Sequence, residues 1–243
     1  MVVGVELDAA AVARPRLGDG RVDEPGHVRG HRHVAGRARD VVPGGGQVPQ
    51  LRGGHPAGRV VATARRPERA EQLRAAHGVE VTDSATAAAN ADVLVIGVKP
   101  PDADALLAEI RDRVAPGTLV VSLCAGLTTD FFARRLPEGT PVVRVMPNTP
   151  ALVGEGMSVL SAGAHAGPDD LDEADALLSA VGQVRRVPES QQDAVTALSG
   201  SGPAYFFYLV EAMVDGGVAL GLPRELATDL SVQTALGAAV LLR

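Results

Sequence analysis

Tryptophan is absent from this chain of 243 residues, cysteine occurs once, at Cys124, and lysine once, at Lys99. A single cysteine excludes an internal disulfide and suits a reducing, cytoplasmic setting. Positive charge is also in short supply. The net charge of −6 provides no field that would draw the protein to nucleic acid or to an anionic membrane. Long apolar runs are missing too, and none reaches the roughly 18 residues that a membrane-spanning helix needs. Segment 1–13 is mildly apolar but carries Glu6 and Asp8 without a basic leader, so it makes a poor signal peptide. Aromatic residues number only 2 Tyr and 4 Phe, and Tyr205, Phe206, Phe207 and Tyr208 are consecutive. That cluster reads as core and subunit contact, not as a platform for stacking bases. What is abundant is Ala, Gly, Arg and Val, a skew that coding bias accounts for. At 46% apolar residues, the length suffices for one large domain or two modest ones.

Two regimes divide the chain. Over 14–57, Gly, Pro, Arg and His crowd together, as in Gly26-His27-Val28-Arg29-Gly30-His31-Arg32-His33, and no period of two or of 3.6 persists. Four of the six histidines fall here, but without cysteine and with scattered acids they read as basic coil, not as a metal site. From Val60 onward the rhythm changes. Short apolar runs at 60–64, 79–81, 93–98, 119–123 and 142–145 predict strands, and 67–77, 102–114 and 128–136 predict helices between them. Pieces at 156–160, 169–181 and 183–187 complete a doubly wound, parallel α/β sheet. After Pro188 everything reads as helix: 203–219, a stop at Gly221, a new start at Pro223 and an unbroken run to Leu242. These helices are apolar nearly all round, so they need burial that so few helices cannot supply alone. A partner subunit is expected. The resulting division is 1–57 as an anomalous, disordered or frameshifted segment, 58–187 as a Rossmann-like nucleotide-binding domain and 188–243 as a helical dimerisation domain.

In an open parallel sheet, ligands sit beyond the carboxyl ends of the strands. Three strands end in distinctive turns: Val98-Lys99-Pro100, Cys124-Ala125-Gly126 and Met146-Pro147-Asn148-Thr149-Pro150. Small residues allow a ring and a diphosphate to approach the backbone, and the prolines stiffen the loops. Val98, Lys99, Pro100, Cys124, Ala125, Gly126, Met146, Asn148 and Thr149 are therefore the expected cofactor contacts. The first strand ends at Arg65 and Arg66, where an acid would bind the ribose hydroxyls of NAD. Guanidinium groups pair bidentately with phosphate, so NADP is expected, with NAD as the less favoured cofactor. No histidine is placed to activate Cys124, which reads as a small buried residue. His77 ends a helix and suits its dipole. No catalytic side chain and no metal ligand is assigned.

Two segments carry a family signature: Val143-Arg144-Val145-Met146-Pro147-Asn148-Thr149-Pro150, and Ser199-Gly200-Ser201-Gly202-Pro203-Ala204-Tyr205. The second reads as a glycine-loosened turn with Pro203 opening a helix. Spaced as they are behind an α/β pattern, they resemble the pyrroline-5-carboxylate reductase family over about 58–243. The resemblance implies hydride transfer from NADPH to the cyclic imine 1-pyrroline-5-carboxylate, giving proline, in a homodimer or higher oligomer. It implies that the Lys99 and Cys124 turns line the cofactor site, that 146–150 lies by the nicotinamide, and that Glu189 approaches the substrate. A cyclic iminium accepts hydride directly, so positioning and electrostatics suffice and no acid–base pair is required.

Two features depart from that family. Its opening strand, Gly-x-Gly-x-x-Gly/Ala turn and helix are not found; Gly44-Gly45-Gly46 has neither a strand before it nor a helical pattern after it. Its Ser-Pro-Gly-Gly-Thr loop is also missing, and 238–243 shows no helix stop. The expectation is a shifted frame or wrong start up to about 57 and a truncated C-terminus. The rival readings are a non-catalytic dimerising fragment and another NADP-linked reductase of imines or hydroxy acids. The absence of lysine from 200–243 weighs against the latter.

Overall fold

The computed structural model describes residues 11–15 and 60–243. Strands β1 (Ala11–Pro15), β2 (Val61–Thr63), β3 (Glu80–Thr82), β4 (Ala91–Ile96), β5 (Leu119–Ser122), β6 (Val142–Met146), β7 (Gly156–Ala162) and β8 (Gly182–Arg186) form one sheet. Their order is β3-β2-β1-β4-β5-β6-β7-β8. Helices α1 (Pro67–His77), α2 (Ser84–Ala89), α3 (Ala103–Ile110), α4 (Thr129–Ala133) and α5 (Pro168–Leu178) cover its faces.

The apolar strands alternate between two cores, as a pleat with period two requires. Leu94, Ile96, Val120 and Val142 face Leu106, Leu107, Ile110 and Phe132. Val93, Val121, Val143 and Val145 face Ala174 with Leu171 and Leu177. Burial on both sides explains why these runs carry almost no polar residue. The doubly wound α/β reading holds.

Strand direction is less uniform than a fully parallel sheet. β4, β5 and β6 are parallel, as are β2 with β3 and β7 with β8, but β7 runs antiparallel to β6. β1 is antiparallel to both β2 and β4. It falls inside the stretch read as disordered or frameshifted, and these five residues pair as a strand between β2 and β4. Without β1, facing edges of β2 and β4 would leave two rows of backbone N–H and C=O groups unpaired. The rest of 1–59, including the four histidines and Gly44-Gly45-Gly46, lies outside the described residues.

Two local elements were not anticipated. Helix α2 is started by Asp83, whose carboxylate accepts from the Thr86 N–H at 2.8 Å. The Ser199–Gly202 stretch, read as a loosened turn, is helical: a π turn at Thr196–Gly200 leads into α7. Beyond β8 come α6 (Gln192–Val195), α7 (Gly202–Ala219) and α8 (Arg224–Leu241). The last two form a hairpin, turning at Gly221 with a φ of 96° that favours glycine. Gly217 lies against Ala227, and Val214 and Ala227 are buried between them. Phe206, Phe207, Tyr208, Leu230 and Leu236 on these helices are exposed in the single chain.

Candidate functional site

The register of the parallel strands brings their carboxyl ends to one edge. Ile96 pairs with Ser122 and Ser122 with Arg144, so the chains leaving β4, β5 and β6 emerge side by side. β2 and β4 are both antiparallel to β1 and thus parallel to each other, which brings Arg65 to the same edge.

Cys124 ties two of these ends together. Its thiol donates to the Val98 carbonyl at 3.3 Å, and the Leu123 N–H donates to the Ile96 carbonyl at 2.8 Å. Burial pushes the thiol above its ordinary value of 9.0 because the thiolate would lose its hydration. Such a thiol is a poor nucleophile. Alkylation of the folded protein by iodoacetamide at neutral pH is expected to be far slower than in denaturant, as mass spectrometry would record. The raised value also means that this group's contribution to stability is present below the unfolded thiol pKa and fades as pH climbs above it.

Between the ends of β2, β3 and β4 lies a cleft of about 330 Å³, lined by Thr63, Arg65, Thr82, Ser84, Val98, Lys99, Asp102 and Glu109. Arg65 reaches Asp102 at 3.4 Å across its mouth. Asp83 also borders it, but its carboxylate is engaged by the Thr86 N–H and hydroxyl, which lower its pKa below the ordinary value of 3.8. Of the expected cofactor contacts, the cleft gathers Arg65, Val98 and Lys99. Arg66, Pro100, Cys124, Ala125, Gly126, Met146, Asn148 and Thr149 are not among its walls; all but Arg66 and Pro100 lie farther along the edge, at the ends of β5 and β6.

At that far end the two signature segments meet. Asn148 accepts from the Met157 N–H at 2.8 Å and donates to the Ser199 carbonyl at 3.1 Å. A Cβ on Gly200 would stand 2.6 Å from Met146 Cε, so the absence of a side chain there lets the loop and the π turn close on each other.

Glu189 is held between sheet and helices. Its carboxylate accepts from the Thr129 N–H at 2.8 Å, the Thr129 hydroxyl at 2.7 Å and Arg144 Nη1 at 3.3 Å. The Arg144 side chain is only 6% exposed and lies 4.0 Å from Asp193 as well. Buried Gln192 donates to the Val159 carbonyl at 3.1 Å and to Ser161 at 2.8 Å. Sequence reasoning missed this network, although a charged residue inside an apolar strand, Arg144, was its visible sign. Asp102 and Glu109 gave no sign, because only the folded chain brings them beside Arg65.

Among the described residues, no helix is long and apolar enough to cross a membrane, and no cluster of three His, Cys, Asp or Glu residues could hold a metal ion. Residues 189–243 match the model described as pyrroline-5-carboxylate reductase dimerisation, and residues 50–126 match NADP oxidoreductase, coenzyme F420-dependent. A pyrroline-5-carboxylate reductase of Mycobacterium tuberculosis is 46% identical over 219 residues, which span 85% of this chain and 74% of that protein. The solved pyrroline-5-carboxylate reductase of Coxiella burnetii superposes with a TM-score of 0.74 at 36% identity, covering 79% of this chain and 72% of that one. The Plasmodium falciparum enzyme with NADP bound gives a TM-score of 0.63 at 31% identity, over 67% of this chain and 62% of that one. With its edge of strand ends, its paired signature segments and these relatives, the chain belongs to the pyrroline-5-carboxylate reductase family.

Proposed function

We propose that this protein reduces 1-pyrroline-5-carboxylate to proline with NADPH, as a homodimer or larger homo-oligomer in the cytoplasm, with residues 58–187 as the nucleotide domain and 188–243 as the dimerising one. The observation that carries the reading is the cleft at the carboxyl edge, bordered by Arg65 and Lys99 and continuous in strand order with the turns at Cys124 and Asn148. This donor set fits a dinucleotide: an arginine at the end of β2 for the ribose phosphate, then Lys99 and small residues along the edge. When bound, NADPH supplies the hydride. The chain's own part is to bind and orient. Arg65 and Arg66 attract the 2′-phosphate, and Val98, Lys99, Pro100, Ala125 and Gly126 flank the middle of the edge. Met146, Asn148 and Thr149 border the imine space, held in place by the Ser199 carbonyl and Gly200. Glu189 supports that space from the side through Thr129 and Arg144.

Oxidation of NADPH by the purified chain, dependent on the cyclic imine, tests the reading. Replacing Arg65 and Arg66 together with alanine should weaken NADPH binding more than NADH binding, by about 1–3 kcal/mol for lost charge-assisted bonds. Equal losses for the two cofactors would remove the 2′-phosphate role.

One observation favours a second reading. β1 runs antiparallel at the centre of the sheet, where the family's phosphate-cradling strand–turn–helix belongs, so a non-catalytic dimerising protein is the alternative. Dimers that bind neither NADPH nor NADH in calorimetry would establish it.

A further inference from the structure

Arg65 is not simply presented to the cleft; it is already paired. Its guanidinium lies 3.4 Å from Asp102, and both residues form the cleft wall. Asp102 stands at the end of the short turn Pro100–Asp102, with its own N–H bonded to the Lys99 carbonyl at 2.9 Å. That backbone bond and the two preceding prolines fix the Asp102 backbone at the cleft wall. The pair is half open to water, with side-chain exposures of 64% for Arg65 and 41% for Asp102, so it exchanges partners readily. Asp83, the other nearby aspartate, is committed to starting α2, and Glu109 lies on the same cleft wall.

We propose that Asp102 is a specificity-determining residue that lowers this protein's preference for NADPH over NADH, by competing with the 2′-phosphate for the Arg65 guanidinium. The inference rests on the reading of the cleft as the site of the adenosine phosphate. A cofactor without the 2′-phosphate leaves the Arg65–Asp102 pair intact and loses nothing. A cofactor carrying it must share or displace that carboxylate to reach the guanidinium. The Asp102 carboxylate therefore selects against the phosphorylated dinucleotide while leaving the other unaffected.

The test is calorimetric titration of the full chain with 2′,5′-ADP, 5′-AMP, NADPH and NADH. Asp102→Asn should tighten 2′,5′-ADP and NADPH about two- to fivefold, the span of an exposed ion pair, and leave 5′-AMP and NADH unchanged. Asp102→Glu, which keeps the charge, should behave as the parent does, and Glu109→Gln should shift the ratio less than Asp102→Asn. In an Arg65→Ala background the gain from Asp102→Asn should largely vanish, since the two residues act as one unit. An unchanged or lower NADPH-to-NADH ratio in Asp102→Asn overturns the inference while sparing the cofactor reading. So does a gain that persists in full without Arg65, because Asp102 would then act by general charge. A parent chain that binds 2′,5′-ADP no better than 5′-AMP overturns the cofactor reading itself, and the inference with it.

Discussion

Glu189→Ala is expected to lower the unfolding midpoint by about 6–12 °C, the shift that about 3 kcal/mol produces in a chain of this length. The size follows from what is left behind. Arg144 keeps a charge on a side chain 6% exposed to water, and its other acidic neighbour, Asp193, is 4.0 Å away and fully exposed. Thr129 loses the acceptor for both its N–H and its hydroxyl. Removing one partner of a buried pair costs about 3–5 kcal/mol, and the partial exposure of Glu189 sets the lower end. Pairing the change with Arg144→Met should recover part of the loss, since an apolar side chain needs no partner there. Thermal unfolding followed by circular dichroism reads the effect. A loss below about 1 kcal/mol would place the contact among ordinary surface bridges and end its role as the latch between β6, α4 and the helical segment. A variant with an unchanged midpoint but a raised KM for the imine would instead show that Glu189 meets the substrate directly.

Tyr208→Asp should abolish assembly. Tyr208 is 75% exposed in the single chain, and its helical neighbours Phe206 and Phe207 are exposed as well, at 66% and 63%. Tyr205 is a less clean choice, because its hydroxyl bonds the Ala197 carbonyl at 3.3 Å within the chain. An aspartate sealed into an apolar contact would lose its hydration without an ion partner. A cost of at least about 2 kcal/mol, some thirtyfold in the dissociation constant, is the expected scale. Sedimentation velocity should report monomers at concentrations where the parent is assembled. An unaltered oligomer would mean that partners cover a different face of the hairpin.

The sheet was legible because its strands are buried on both faces. A run such as Val93, Leu94, Val95 and Ile96 has no other stable place in a protein of this size. Helix α2 was not legible, because Ser84–Ala89 is built of small residues without an amphipathic period, and only the Asp83 cap marks it. The reversal at β7 could have been read from length. Nine residues separate Met146 from Gly156, too few for the crossover of a dozen or more that a parallel neighbour requires. The candidate site divides in the same way. Strand ends announce themselves through Lys99, Cys124 and Asn148, whose chemistry interrupts apolar runs. The pairing of Arg65 with Asp102, and of Glu189 with Thr129 and Arg144, depends on tertiary approach across 37 and 60 or 45 positions, which no local pattern encodes.

The bare surface of the α7–α8 hairpin makes robustness a matter of dose. When two copies cover each other's apolar rows, mass action couples folding to the number of molecules in solution. A dilute sample should therefore melt earlier than a concentrated one, and a cell making too little of the chain would hold it mostly as sticky single copies.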